Sequence, residues 1–290
     1  MSELNTIYII SKGRPDCWTA QYLERISYPD DWFILCGDND ETVPEYLDNW
    51  GDERVIVFDH AAAWDDTDMM DSYGRSKPSG ICPVKNEARR VSLSRNELRH
   101  WVWDDDYKDI VRIEDSGRHR IDDGAELHSL LQEIASFGND GNLAAVGFGI
   151  NNIKNSPKLF RTFDTKVFNC VNVANDDETF IPWRGRLYED WIHSLDNTSR
   201  STGEICFEHL YIECVNNPWG LDKNVTPGGL TELYESEEKA VTNIRECGYC
   251  LMVAPSSVTL TENPNAYRSF GKRAAMSQIL PKRLSDKWCR

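Results

Sequence analysis

The stretch that decides the fold reads LNTIYIISKGRP over residues 4–15. Leu4 to Ser11 is rich in isoleucine and tyrosine and bounded by turn residues, the pattern of a buried strand. Lys12-Gly13-Arg14-Pro15 punctuates it, and Pro15 suits the first turn of a helix running to about Ser27. The alternation continues outward. Trp32 to Gly37 (WFILCG) is a second short apolar run, a helix is expected near Val43 to Trp50, and Arg54 to Phe58 (RVIVF) makes a third strand. Strand, helix, strand, helix, strand predicts a parallel sheet with crossover helices, so the fold class is α/β.

From Asp59 to Pro83 the pattern lapses, and the segment reads either as a long functional loop or as a plain solvated connection. A long helix is then expected over Val84 to Trp103, with Ala88, Val91, Leu98 and Val102 on one stripe. Arg95 falls on that same stripe. A guanidinium there needs an anion, either a bound phosphate or nucleotide base or a buried carboxylate of the protein itself. Asp109 to Glu114 (DIVRIE) reads as the next strand, Ile121 to Phe137 as an amphipathic helix and Leu143 to Gly149 as a further strand. Beyond Asn151 come shorter strands, Phe168 to Val173 and Glu204 to Val215, with helices near Leu187 to Leu195 and Glu237 to Cys247.

Composition narrows the classes. The chain has 290 residues, 40% hydrophobic, enough for one large domain or two small ones. Its formal net charge of −16 argues against coating nucleic acid by bulk attraction. Twelve acidic residues between Asp38 and Ser72, against Arg54 alone, concentrate that excess. No run of apolar residues is long enough to span a membrane and no signal peptide is visible, so a cytoplasmic protein is expected. Nine cysteines include one CxxC pair, Cys247 and Cys250, which reads as a turn because half of a zinc ligand set is missing. GxGxxG after the first strand, GxxxxGK[ST] and GxSxG are all absent, which argues against dinucleotide and P-loop chemistry and removes the commonest esterase reading.

In an open α/β sheet, ligands bind beyond the carboxyl ends of the strands. Those ends read Ser11-Lys12-Gly13-Arg14, Gly37-Asp38-Asn39-Asp40 and Glu114-Asp115-Ser116. The basic loop suits a diphosphate, Asp38 or Asp40 suits a ribose or base, and Glu114-Asp115 suits a divalent cation. Each motif taken singly is also ordinary turn or helix-cap chemistry. A second centre is Arg186-Leu187-Tyr188-Glu189-Asp190-Trp191, where Glu189 and Asp190 open a helix whose dipole favours their ionised form. There they suit either a general base or simple charge complementation of the helix start.

These residues resemble a family. Ile7 to Pro15, the Asp38 to Asp40 turn and Ser94-Arg95-Asn96-Glu97 resemble nucleotide-sugar glycosyltransferases of the GT-A fold. So do Glu114-Asp115-Ser116, Tyr188-Glu189-Asp190 and Pro227-Gly228-Gly229. The combination looks most like the phage-encoded TET-associated glycosyltransferases, which glycosylate hydroxymethylated pyrimidines in DNA. The GT-A likeness covers about Leu4 to Tyr234. It implies a Rossmann-like, mostly parallel mixed sheet flanked by helices, with a nucleotide-sugar half over 1–150, a mixed acceptor half over 151–255 and a basic extension over 256–290. It implies that Ser11, Lys12, Arg14, Asp38, Asp40, Arg95 and Asn96 contact a nucleoside-diphosphate sugar, and that Glu114 and Asp115 hold Mn²⁺ or Mg²⁺. Serine at 116 departs from the usual Asp-x-Asp. Asp190, or Glu189 beside it, takes the role of base in an inverting displacement. Arg14, Asp38, Arg95 and Asp115 are thereby expected to converge on one crevice.

A DNA acceptor requires positive surface. Lys85 to His100 holds five basic residues against two acidic ones, and Arg268 to Arg290 holds seven against Asp286. Lys272, Arg273, Lys282 and Arg283, with Tyr267, Phe270 and Trp288 among them, suit phosphate contact and stacking; a solvated, domain-packed tail is the other reading. Two other functions stand beside the DNA enzyme. One is a GT-A enzyme acting on a glycan or small molecule, and the other is a non-catalytic nucleotide or nucleic-acid binding module.

Overall fold

A computed structural model describes residues 6–70, 80–150, 161–162, 170–186, 189–199, 203–215, 245–246, 249, 252, 258–263 and 273–278. The first third alternates as its sequence dictates. Strand β1 (Ile7–Ile10) leads to helix α1 (Trp18–Arg25), β2 (Trp32–Gly37), α2 (Val43–Trp50) and β3 (Val55–Phe58). Pro15 lies in the turn ahead of α1 and not in its first turn; its carbonyl accepts the indole N–H of Trp50 at 2.7 Å. A short helix α3 (His60–Asp65) follows, capped by the Asp59 carboxylate on the Ala62 N–H, so the start of the patternless Asp59–Pro83 segment is helical.

The expected helix over 84–103 is two elements. Helix α4 (Cys82–Ser94) stops at Arg95, and Asn96 turns the chain with a φ of 58°, a left-handed conformation that asparagine tolerates. Strand β4 (Arg99–Asp104) then runs into the middle of the sheet. Arg95 therefore sits at a helix end and not on a core stripe. Its guanidinium bonds Asp31 and Glu97, which settles on internal carboxylates as its anions. Glu97 is fully buried and also accepts the hydroxyls of Thr6, Tyr8 and Ser92. Four donors on one buried carboxylate tie α4 to β1 and β4. Glu97→Ala is expected to cost about 3 kcal/mol in urea unfolding, because those donors lose their shared acceptor.

The rest of the sheet comes from β5 (Tyr107–Glu114), β6 (Gly117–Arg120), β7 (Ala145–Ile150), β8 (Arg161–Thr162), β9 (Cys170–Ala174) and β10 (Glu204–Cys214). Helices α5 (Gly124–Asp140) and α6 (Glu189–Ser199) complete the layers, and β11 (Val258–Asn263) pairs with β12 (Arg273–Gln278) in a separate hairpin. The order is β3-β2-β1-β4-β9-β7-β10-β5-β6, with β8 beside β10. Strands β3, β2, β1 and β4 are parallel, and antiparallel pairs enter beyond β4. Alternation along the central strands buries both faces. Ile7, Ile9, Trp101 and Trp103 join one core with Leu127 and Leu131 of α5, while Tyr8, Ile10 and Val102 join another with Ala88 of α4. The structure is thus a mixed α/β sheet, parallel from β3 to β4 and flanked by helices. Cys17, Cys36, Cys82, Cys170 and Cys206 are buried as free thiols. Cys247 and Cys250 lie outside the described residues, as does most of the helix expected over 237–247. No described helix is long and apolar enough to cross a membrane.

Candidate active site

Parallel strands end at the same edge, so the loops after β1, β2 and β4 meet there. They enclose a crevice of about 380 Å³, within the range of small-molecule sites. Its polar part holds Ser11, Lys12, Arg14, Asp104, Asp105, Asp106 and Glu189. Its apolar wall includes Ile10, Phe58, Ile81 and Val84, with Asn39 and His60 beside them.

The β1 loop is held rigidly. Gly13, at a φ of 67°, donates its N–H to the buried Asp40 carboxylate at 2.7 Å. The Arg14 N–H donates to the Tyr46 hydroxyl at 2.9 Å, and Ser11 Oγ lies 2.6 Å from that same hydroxyl. Asp105 completes the network, accepting Ser11 Oγ on one oxygen at 2.6 Å and Arg14 Nη1 on the other at 2.7 Å. Residues 104–106 thus divide their work. Asp105 points back into the β1 loop, and Asp104 and Asp106 flank it on the crevice wall. Burial raises the Asp105 carboxyl above its ordinary range, against the pull of Arg14. Burial and then the neighbouring Asp105 likewise raise Asp106.

Across the crevice, α6 presents Glu189 and Asp190 in its first turn. Lys85, in the first turn of α4, places its Nζ 2.9 Å from Asp190 and 3.7 Å from Glu189. Burial, with the Asp190 carboxylate beside it, pushes the Glu189 carboxyl up to about 8, and the Lys85 ammonium opposes that rise.

Four of the residues expected in the site lie elsewhere. Strand β5 runs antiparallel to β10, and the pairings through β7 and β9 make it antiparallel to β4 as well. The carboxyl end of β5 therefore lies at the edge of the sheet opposite the crevice. Glu114 and Asp115 sit there, in the turn to β6, and Glu114 pairs with Arg112 at 2.7 Å. Arg95 and Asn96 precede β4, so they also lie at that far edge. Of the four side chains expected to converge, Arg14 lines the crevice. Asp38 stands next to lining residues, and its carboxylate accepts the His60 N–H at 3.0 Å. Arg95 and Asp115 do not approach it. Asp40 positions Gly13 from behind.

The described cations of the Lys85–His100 stretch are all engaged. Arg89 pairs with Asp177, Arg90 with Glu87, and buried Arg99 with Asn172 and the Leu143 carbonyl. Lys85 and Arg99 are buried, whereas the Arg90 side chain is largely exposed. Lys272, Lys282 and Arg283 lie outside the described residues, and the Arg273 backbone stands opposite Asn263 in the register of the β11–β12 hairpin.

A model of the TET-Associated Glycosyltransferase family matches residues 5–217. The chain belongs to the TET-associated glycosyltransferase family. This glycosyltransferase therefore keeps its crevice and α6 inside the matched segment, while the basic C-terminal stretch lies beyond it. No curated protein matches the chain. A solved structure titled "Crystal Structure of a Mycobacterial Protein" superposes with a TM-score of 0.47 at 11% identity, over 96% of this chain and 84% of that one.

A divalent ion fits the crevice only as a shared ligand. Among the described residues, no three His, Cys, Asp or Glu side chains are grouped to hold one. Asp105 has both oxygens on Arg14 and Ser11, which leaves Asp104 and Asp106 on the wall. One or two carboxylates are what Mg²⁺ takes when substrate phosphates and water supply the remaining ligands.

Proposed function

We propose that this glycosyltransferase moves a sugar from a nucleoside-diphosphate donor to the hydroxyl of a 5-hydroxymethylpyrimidine in DNA, with inversion at the anomeric carbon. One observation carries the reading: the cations of the β1 loop, the carboxylates ending β4 and Glu189 of α6 line one crevice. Lys12 and Arg14 are placed to take the diphosphate, Arg14 by a forked guanidinium that Asp105 holds in place. The apolar wall, with Asn39 and His60, suits a nucleoside. Asp104 and Asp106 are the residues to hold Mn²⁺ or Mg²⁺. Such an ion neutralises charge gathering on the departing diphosphate.

The step balances at the anomeric carbon. The acceptor oxygen forms its bond as the bond to the phosphate oxygen breaks; the diphosphate leaves with the electron pair, and the acceptor proton passes to the Glu189 carboxylate. Residues 1–150 supply the donor half and 151–255 the acceptor half. The extension over 256–290, including Lys272, Arg273, Lys282 and Arg283, is the candidate for DNA contact by its charge, with host cytoplasm as the setting. Engagement of the Lys85–Arg99 cations favours a second acceptor, a glycan or small molecule. Incubation with a panel of nucleotide sugars and Mn²⁺, followed by nucleoside analysis of hydroxymethylated DNA, separates them. Glycosylated nucleoside is the expected product. Donor hydrolysis without it moves the acceptor to the second class, and no turnover of any donor leaves a binding module.

A further inference from the structure

We propose that Lys85 is a positioning residue of the transfer reaction: its ammonium pins Asp190 and so fixes the first turn of α6 with Glu189 facing the crevice to take the acceptor proton. This rests on reading the crevice as a sugar-transfer site. The location of Lys85 calls for an explanation. Its side chain is only 5% exposed, and burying an ammonium is costly unless it is paired. It also occupies the first turn of α4, where the helix dipole disfavours a cation and no acidic residue is present.

What offsets both costs comes from other elements. Asp190 accepts from Nζ at 2.9 Å, Glu189 lies at 3.7 Å, and the Trp183 ring centroid is 4.0 Å away, within cation–π range. Trp183 is itself fixed by His193 of α6, stacked on it at 3.7 Å and 7°. Asp104 of β4 and Cys82 of α4 also favour the ammonium electrostatically, and Glu246 acts on Glu189 in the same sense as Asp190. A purely structural ion pair needs one carboxylate. Here one ammonium serves two, of which Glu189 lines the crevice while Asp190 holds the bond. The ammonium also keeps the proton affinity of Glu189 from rising further, so a larger fraction of the enzyme holds an unprotonated base near neutral pH.

The test uses the full chain and the variants K85M and K85R. K85M is expected to lower kcat for transfer about 100-fold with donor KM changed less than about threefold. It is also expected to move the midpoint of the pH–rate profile upward by about one unit, with K85R restoring most of both. A parallel reading does not need turnover: carbon-13 carboxyl NMR of glutamate-labelled protein, with the Glu189 signal assigned by its loss in E189Q. The Glu189 midpoint is expected to rise in K85M and return in K85R. An unmoved midpoint with kcat near wild type overturns the proposal, as does a donor KM that rises in step with the loss of kcat. If K85M does not fold, K85R decides, since a guanidinium that leaves both midpoint and rate near wild type supports the role and one that loses both overturns it. Should wild type turn over no donor, the transfer reading fails and this proposal with it; a midpoint that still moved would locate the failure in the reaction and not in the Lys85–Glu189 pairing.

Discussion

Glu189→Gln is expected to lower sugar transfer by about 100- to 10,000-fold while leaving donor binding nearly intact. The side chain keeps its shape and its place on the crevice wall, but it no longer accepts a proton. Asp190→Asn is expected to cost less, since it loosens the bond to Lys85 and leaves the group facing the acceptor. Near-normal transfer by Glu189→Gln would remove the base assignment from that residue. The pH dependence follows from the same environment. A base must be unprotonated, and burial holds the Glu189 carboxyl near 8. Transfer should therefore rise with pH, about tenfold per unit below that midpoint, and level above it. Stability should run the other way. Because the folded state retains this proton above the ordinary value of 4.5, stability falls as pH rises from there towards 8. Urea unfolding at two pH values, for wild type and Glu189→Gln, checks the sign.

The second large effect concerns the end of β4. Asp104→Asn with Asp106→Asn is expected to reduce transfer about 1,000-fold and to abolish the Mn²⁺-dependent part of nucleoside-diphosphate binding, read by calorimetry with and without the ion. Glu114→Gln with Asp115→Asn is the contrasting pair. Those carboxylates lie at the opposite edge of the sheet, and transfer should stay within about twofold of wild type. Equal losses from the two pairs would show that the crevice has been placed at the wrong end of the strands.

These two contrasts also mark what was legible in the residues. The Ile7–Ile10 strand, WFILCG, the Val43–Trp50 helix and RVIVF lie where the sequence places them, because β-branched and aromatic runs of strand length alternate with an amphipathic segment between turn residues. Leu98 and Val102 satisfied both a helical stripe and a strand, and periodicity cannot choose between them. The break is carried by Asn96, whose backbone turns left-handed, and by the aromatic residues of RHWVWD. Once β4 was read as helix, its three terminal carboxylates ceased to be a strand end. The next acidic strand end along the sequence is Glu114-Asp115. Strand direction is a property of pairing in space, and nothing in DIVRIE reveals that it runs backwards. Lys85 was hidden for a similar reason, since a basic residue among other basic residues reads as surface until its partners are seen.

The buried thiols give the sheet a set of built-in reporters. Cys36 lies on β2, Cys170 on β9 and Cys206 on β10, with Cys17 just ahead of α1 and Cys82 opening α4. Each reacts with an alkylating reagent only when its own neighbourhood opens. The order in which they are labelled in native buffer, followed by mass spectrometry, would distinguish a sheet that loosens strand by strand from one that yields all at once.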